Sequence, residues 1–215
     1  MIFFNLLTDP LYFIAFIVAL VIGITVHEYA HAWMAYHSGD PTAKLEGRLT
    51  LNPLAHLDPL GTLFLFLIGF GWGKPVPVNS SLFRKKTDEI KVALAGIATN
   101  IVLAIILAIP IRIALMNGQT IDSSQFLSFL NLIVDLNLVL AAFNLIPIFP
   151  LDGSHLVEYF LEGESKYNFQ TVGPYILFGL ILLGRFTGIN ILFIVMEPIL
   201  RILSFIAKGT LNTFI

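Results

Sequence analysis

Residues 27 to 31 read His-Glu-Tyr-Ala-His and sit inside an apolar stretch that begins near Leu11. His27 and His31 are four residues apart, about one helical turn, so both imidazoles fall on one face and can reach a single Zn²⁺ while Glu28 projects beside them as a general base. That spacing serves metal-assisted hydrolysis, with a peptide bond as the natural target. A plainer use of the same residues is interhelical hydrogen bonding within a membrane. Against it stands the cost of crowding three ionisable groups into an apolar helix, where such groups are usually functional. The chain has no cysteine, so a metal site must be built from imidazole and carboxylate. A hydrolytic zinc keeps three protein ligands and one open position, and the pentad supplies two. Asp152 is the best candidate for the third. It stands in NLIPIFPLDG, where Pro147 and Pro150 interrupt regular helix and Gly153 permits unusual backbone, so its carboxylate can be aimed off a helical face. Its alternative use is to cap a helix starting near Leu156. His155, three residues on, could turn toward the same metal if Asp152 does not.

The elements that must position these groups are membrane helices. Of 215 residues, 57% are hydrophobic and 12% charged, with 19 Phe and a mean hydropathy of +0.86, well outside the soluble globular range. Apolar runs at about 9 to 36, 89 to 116 and 126 to 148 are long enough to span a bilayer, and shorter ones lie near 171 to 184 and 189 to 207. The expectation is an all-α polytopic membrane protein of about five transmembrane helices. It forms one domain over 1 to 215, with a core at about 9 to 160. The first run lacks a basic leader and carries the pentad, so it reads as a retained helix. The net charge of −2 argues against a nucleic-acid partner. Lys44, Arg48, Lys74, Arg84, Lys85, Lys86 and Lys91, in and beside the connection after the first run, are seven of the twelve Lys and Arg, whereas NGQTIDSSQ (117 to 125) has none. The positive-inside rule therefore puts that connection in the cytoplasm, the N-terminus outside, and the pentad and Asp152 toward the cytoplasmic side of the cell membrane.

Within the connection, GTLFLFLIGFGWGKPVPVN (61 to 79) is apolar yet too short and too rich in Gly and Pro to span. It reads as a re-entrant loop or β-hairpin against the site, with an edge that could pair with an extended substrate, or else as a surface-lying anchor.

HEYAH, followed by RLTLNPLAHLDPLGT, GWGKPVPVN and NLIPIFPLDG in this order and spacing, resembles the site-2 protease family of intramembrane zinc metalloproteases, most closely its compact prokaryotic members without PDZ or CBS domains. The likeness covers roughly residues 20 to 160. It implies one Zn²⁺ per chain held by His27, His31 and Asp152, Glu28 as catalytic base, and Asn144 facing the site from the third helix. It also implies a membrane-protein substrate helix as partner. In that chemistry Asn144, with Asn100 as a second donor, could stabilise the tetrahedral oxyanion. Where the family often has Gly-Pro before the Asn of its second core helix, this chain has Gly96 followed by Ile97, which bears on the helix geometry at Asn100. His56, in LNPLAHLDP, could contact substrate or metal, or structure its loop. Asn137, seven residues before Asn144, shares its face and points inward, while Asp135 could pair with Arg112 or serve an aqueous path. Two rival readings share parts of the pattern. A prenyl-peptide (CaaX) type membrane protease would take a later Glu as third ligand, and a non-catalytic binding or transport protein would use the polar residues to line a path. Neither GxSG nor GxGD occurs, so serine-type and aspartyl intramembrane proteolysis find no support.

Overall fold

A computed structural model describes residues 10–68 and 70–210, with the side chain of Ile68 left aside. The described residues form eight α-helices, joined by loops and three short 3-10 turns: α1 (Pro10–His37), α2 (Thr42–Leu45), α3 (Pro59–Ile68), α4 (Thr87–Met116), α5 (Gln125–Asn144), α6 (Ser154–Glu158), α7 (Gly163–Thr187) and α8 (Ile191–Lys208). Four of them, α1, α4, α5 and α7, are long and apolar enough to cross a membrane. The chain is therefore an all-α, multi-pass membrane protein. The three strong apolar runs become α1, α4 and α5, and the run near 171 to 184 extends back to Gly163. The fifth expected span becomes α8. Its 18 residues include Glu197, Arg201 and Lys208, so it stands apart from the four apolar spans. Residue 9, the expected start of the first span, lies outside the described residues.

The core sits where α4, α5 and α8 meet. Ala104, Ala108, Ala141, Ala142 and Ala207 are wholly buried there, with Val134, Leu138 and Leu200 filling the gaps between backbones. Small residues matter because lipid is as apolar as a leucine side chain, so helices associate through close backbone approach. α1 packs on α4 and α5 in the same way, burying Ala19, Gly23, Ala30, Ala32 and Ala35. On the outer face of α4, Val102, Ile106, Ile109 and Ile113 recur every three or four residues and stay exposed, as a lipid-facing stripe requires.

The 61 to 79 segment differs from a β-hairpin. Its outward arm is the helix α3, and no strand occurs among the described residues. The chain does return on itself: a Cβ at Gly71 would lie 2.3 Å from the Gly61 carbonyl oxygen, and Leu57 and Gly73 form a single antiparallel bridge. PLGTLFLFLI satisfies its own amides as a helix, which an apolar arm of this kind favours over an unpaired strand. Asp135 likewise departs from expectation. Its partners are Lys208 Nζ of α8 at 2.6 Å and Asn131 Nδ2 at 2.8 Å, while Arg112 donates to the Ile206 carbonyl.

Candidate metal centre

The sequence carries His27 and His31 on one buried face of α1, toward its C-terminal end. Asp152 reaches them from the loop after α5. That loop is tight: Gly153 N–H donates to the Asn144 carbonyl at 2.7 Å, and a Cβ at Gly153 would lie 2.5 Å from the Leu145 carbonyl oxygen. Only glycine allows this fold-back, and it turns the neighbouring Asp152 inward. Asp152 Oδ2 lies 3.1 Å from His27 Nε2 and 3.2 Å from His31 Nε2, and the two Nε2 atoms are 3.0 Å apart. The helix beyond begins at Ser154 with Gly153 at its N-cap and no side-chain cap, so Asp152 is not the cap.

The surrounding hydrogen bonds decide the protonation of the ring nitrogens. Asn137 Nδ2 donates to the Ile133 carbonyl at 2.8 Å, which turns its Oδ1 toward Asn100. Asn100 Nδ2 donates to that Oδ1 at 2.7 Å and to the Gly23 carbonyl at 3.1 Å, leaving Asn100 Oδ1 to face His27 Nδ1 at 2.6 Å. His27 must therefore donate from Nδ1. His31 Nδ1 faces the Val92 carbonyl at 2.7 Å and must donate too. In the neutral rings both Nε2 atoms are then lone-pair acceptors, and they meet a carboxylate oxygen that is buried and makes no hydrogen bond of acceptable geometry. Three acceptors converging within about one ligand-to-ligand distance suit a shared cation, and two imidazoles with one carboxylate form a zinc donor set.

The remaining candidates separate. His155 does not join this group: its Nδ1 lies 3.8 Å from Glu89 Oε1 and 3.7 Å from Glu158 Oε2. His56 is wholly buried with Nε2 at 2.8 Å from the Thr50 carbonyl, a loop-structuring contact. Asn144 donates from Nδ2 to Leu140 of its own helix at 3.0 Å. Asn100 is spent on His27, Gly23 and Asn137, which leaves it no amide hydrogen for a reacting oxygen, contrary to its expected use as a second oxyanion donor. α4 runs unbroken through Gly96 and Ile97, so the missing proline leaves the geometry at Asn100 regular. Glu28 accepts the Val76 backbone N–H at 2.9 Å through Oε2. Among the described residues, the donor group containing His27 and His31 holds Asp152 and no glutamate, against the CaaX-type arrangement. Sequence inspection missed the Val92 carbonyl and the Val76 amide, which are backbone groups without a side-chain signature. Nor does the sequence mark Arg48, whose guanidinium donates to the Lys74 and Pro75 carbonyls just before the Val76 amide.

Among curated proteins, YwhC of Bacillus subtilis (strain 168), whose name places it provisionally among zinc metalloproteases, is 36% identical over 205 residues, covering 86% of this chain and 93% of that protein. The chain belongs to peptidase family M50, the site-2 protease family. The family model for Peptidase family M50 itself matches residues 107–184, a window that holds Asp152 but not the pentad. This M50 chain is also 34% identical to Rip2 of Mycolicibacterium smegmatis, provisionally named in the same way, over 72% of the chain and 60% of that longer protein. Zinc metalloprotease MJ0392 of Methanocaldococcus jannaschii is 25% identical over 76% of the chain and 39% of its own length. No solved structure matches. The chain is thus a zinc metalloprotease, and zinc is a metal that its two imidazoles and one carboxylate suit.

Proposed function

We propose that this chain is an intramembrane zinc endopeptidase that hydrolyses peptide bonds in or near transmembrane segments of membrane proteins, toward the cytoplasmic face. The observation that carries this reading is the convergence of His27 Nε2, His31 Nε2 and Asp152 Oδ2 beside Glu28. The basic residues of the 38 to 86 connection support the cytoplasmic placement. His27, His31 and Asp152 would hold the ion, which when bound lowers the pKa of its water toward about 7 and polarises the scissile carbonyl. Glu28 accepts the proton of the attacking water and returns it to the leaving amine as the C–N bond breaks. Asn100 and Val92 keep both imidazoles in the tautomer that presents Nε2. Asn144 gives one amide hydrogen to Leu140 and has a second to offer the developing oxyanion. A substrate helix hides its amides in i to i−4 bonds, so segments with helix-breaking residues should be preferred.

The test is zinc content with cleavage of a membrane-helix substrate for wild type, Glu28→Gln and Asp152→Ala. Wild type should hold about one zinc and cleave; Glu28→Gln should keep the metal and lose roughly 10²-fold or more in rate; Asp152→Ala should lose most of the metal. A wild type without zinc under metal-replete conditions would return the pentad to a structural role and favour binding or transport.

A further inference from the structure

Glu28 is gripped from outside its own helix. The stretch Lys74 to Asn79, which belongs to no helix or strand, passes the carboxylate, and Val76 N–H donates to Oε2 at 2.9 Å. Donors are scarce there: Pro75 and Pro77 have no N–H, so Val76 is the one amide between Lys74 and Val78 that can do this. The stretch is itself anchored at each end. Lys74 N–H donates to the His56 carbonyl at 2.8 Å, and Asn79 N–H donates to Asp40 Oδ2 at 2.7 Å. Burial pushes the Asp40 carboxyl up, but hydrogen bonds from the Thr42 hydroxyl and from the Asn79 and Thr42 amides outweigh it and hold the group below its ordinary value, so this anchor is charged at neutral pH.

Between the anchors stands Arg48. Its Nη2 donates to the Lys74 carbonyl at 2.7 Å and its Nη1 to the Pro75 carbonyl at 3.1 Å, the two carbonyls immediately before the Val76 amide. The residue is 7% exposed, and its Nε is buried without a partner. Withdrawing a permanent cation from water is costly, and here it obtains two main-chain oxygens in return. A planar fork that clasps successive carbonyls fixes the peptide planes between them, and so fixes where the next N–H points.

We infer that Arg48 is a positioning residue for the general base: by clasping Lys74 and Pro75 it keeps the Val76 amide on Glu28 Oε2, which sets the carboxylate's orientation and leaves its other oxygen for proton transfer. The inference rests on the reading of Glu28 as base. It also limits how a substrate strand can add to this stretch, because the Val76 amide is already engaged and the neighbouring prolines have none to give.

Full-length Arg48→Met and Arg48→Lys are compared with wild type for zinc per chain, kcat and KM on a membrane-helix substrate, and hydrogen exchange in the 74–79 peptide, whose amides are Lys74, Val76, Val78 and Asn79. Arg48→Met should keep its zinc, lose roughly 10- to 100-fold in kcat with KM little changed, and exchange Val76 faster. Arg48→Lys, which keeps the charge but lacks the planar two-pronged fork, should recover part of each effect. An undiminished kcat in Arg48→Met, or a loss of kcat that follows loss of zinc, would overturn the inference. Should Arg48→Met fail to fold, Glu28→Ala decides the contact: Val76 exchange should accelerate while Asn79, held by Asp40, stays protected, and unchanged Val76 exchange would overturn it. Absence of cleavage by wild type would sink the hydrolase reading instead, a result distinct from any of these.

Discussion

At the scale of single residues, the candidate centre depends on side chains outside its donor set. Two backbone carbonyls, Ile133 and Gly23, orient Asn137 and Asn100, and through them set which nitrogen of His27 carries the proton. Replacing Asn100 with Leu should leave the His27 Nδ1–H and the Asn137 Oδ1 buried without partners and free the imidazole to choose the wrong tautomer. Zinc affinity, measured by competition with a chelator, should fall roughly 10- to 100-fold. An unchanged affinity would mean that the Asn100 contact does not govern the ring. The grouping of His27, His31 and Asp152 was legible in the sequence because residue types able to ligate a metal, and their spacing, are visible there. The role of Asn100 was not, because an asparagine on an apolar helix can serve as oxyanion donor or as imidazole anchor, and only its three partners tell these apart. His155 shows the same limit: three residues from Asp152 it looks like a ligand in one dimension, yet it faces Glu89 and Glu158.

At the scale of elements, α4 is the wall on which the histidine pair rests. Val92, Gly96 and Asn100 recur at four-residue spacing on one face, supplying in turn a carbonyl to His31, a gap for both rings, and the amide that holds His27. A Cβ at Gly96 would lie 2.5 Å from His31 Nε2 and 2.7 Å from His27 Cε1. Alanine is ordinarily about 0.5–1 kcal/mol better than glycine inside a helix, but overpacking against two buried imidazoles costs about 1–3 kcal/mol, so Gly96→Ala should lower the thermal midpoint of the metal-free protein. It should also displace the imidazoles and abolish most zinc binding and cleavage. A variant that binds zinc normally would show that the rings have room to give. Helix positions followed from apolar run length, and α1, α4 and α5 appear close to where the hydropathy puts them. The 61 to 79 excursion was legible as a return but not as helix plus irregular arm, since a ten-residue apolar run has no periodicity that separates helix from strand.

At the scale of the molecule, the last described helix is fastened to the core by an ion pair between a buried lysine and a part-buried aspartate. Lys208, 4% exposed at the end of α8, places Nζ 2.6 Å from Asp135 Oδ1 and 3.1 Å from Asn131 Oδ1, both on α5. Asp135 stands two residues before Asn137, so the clasp and the chain of amides behind His27 share one short stretch of helix. The sequence offered Arg112 as partner because it too lies in an apolar segment, and sequence distance gave no reason to prefer a lysine 73 residues away over an arginine 23 residues away. With Lys208 buried and Asp135 part-buried, the pair is asymmetric in its energetics. Removing one partner leaves the other with Asn131 but without its counter-charge, at a cost below the roughly 3–5 kcal/mol of a fully buried pair, whereas replacing both with apolar groups of similar size is often close to neutral. Lys208→Met should therefore lower the unfolding midpoint in detergent micelles markedly, and Lys208→Met with Asp135→Leu should recover most of the loss while zinc content stays at the wild-type value. If Lys208→Met alone unfolds where wild type does, α8 is held by its apolar face, through Met196, Leu200 and Leu203, and the ion pair contributes little to the fold. If the double variant recovers stability but loses zinc, the α5 stretch transmits strain from the clasp to Asn137, and α8 is part of the frame that sets the metal centre.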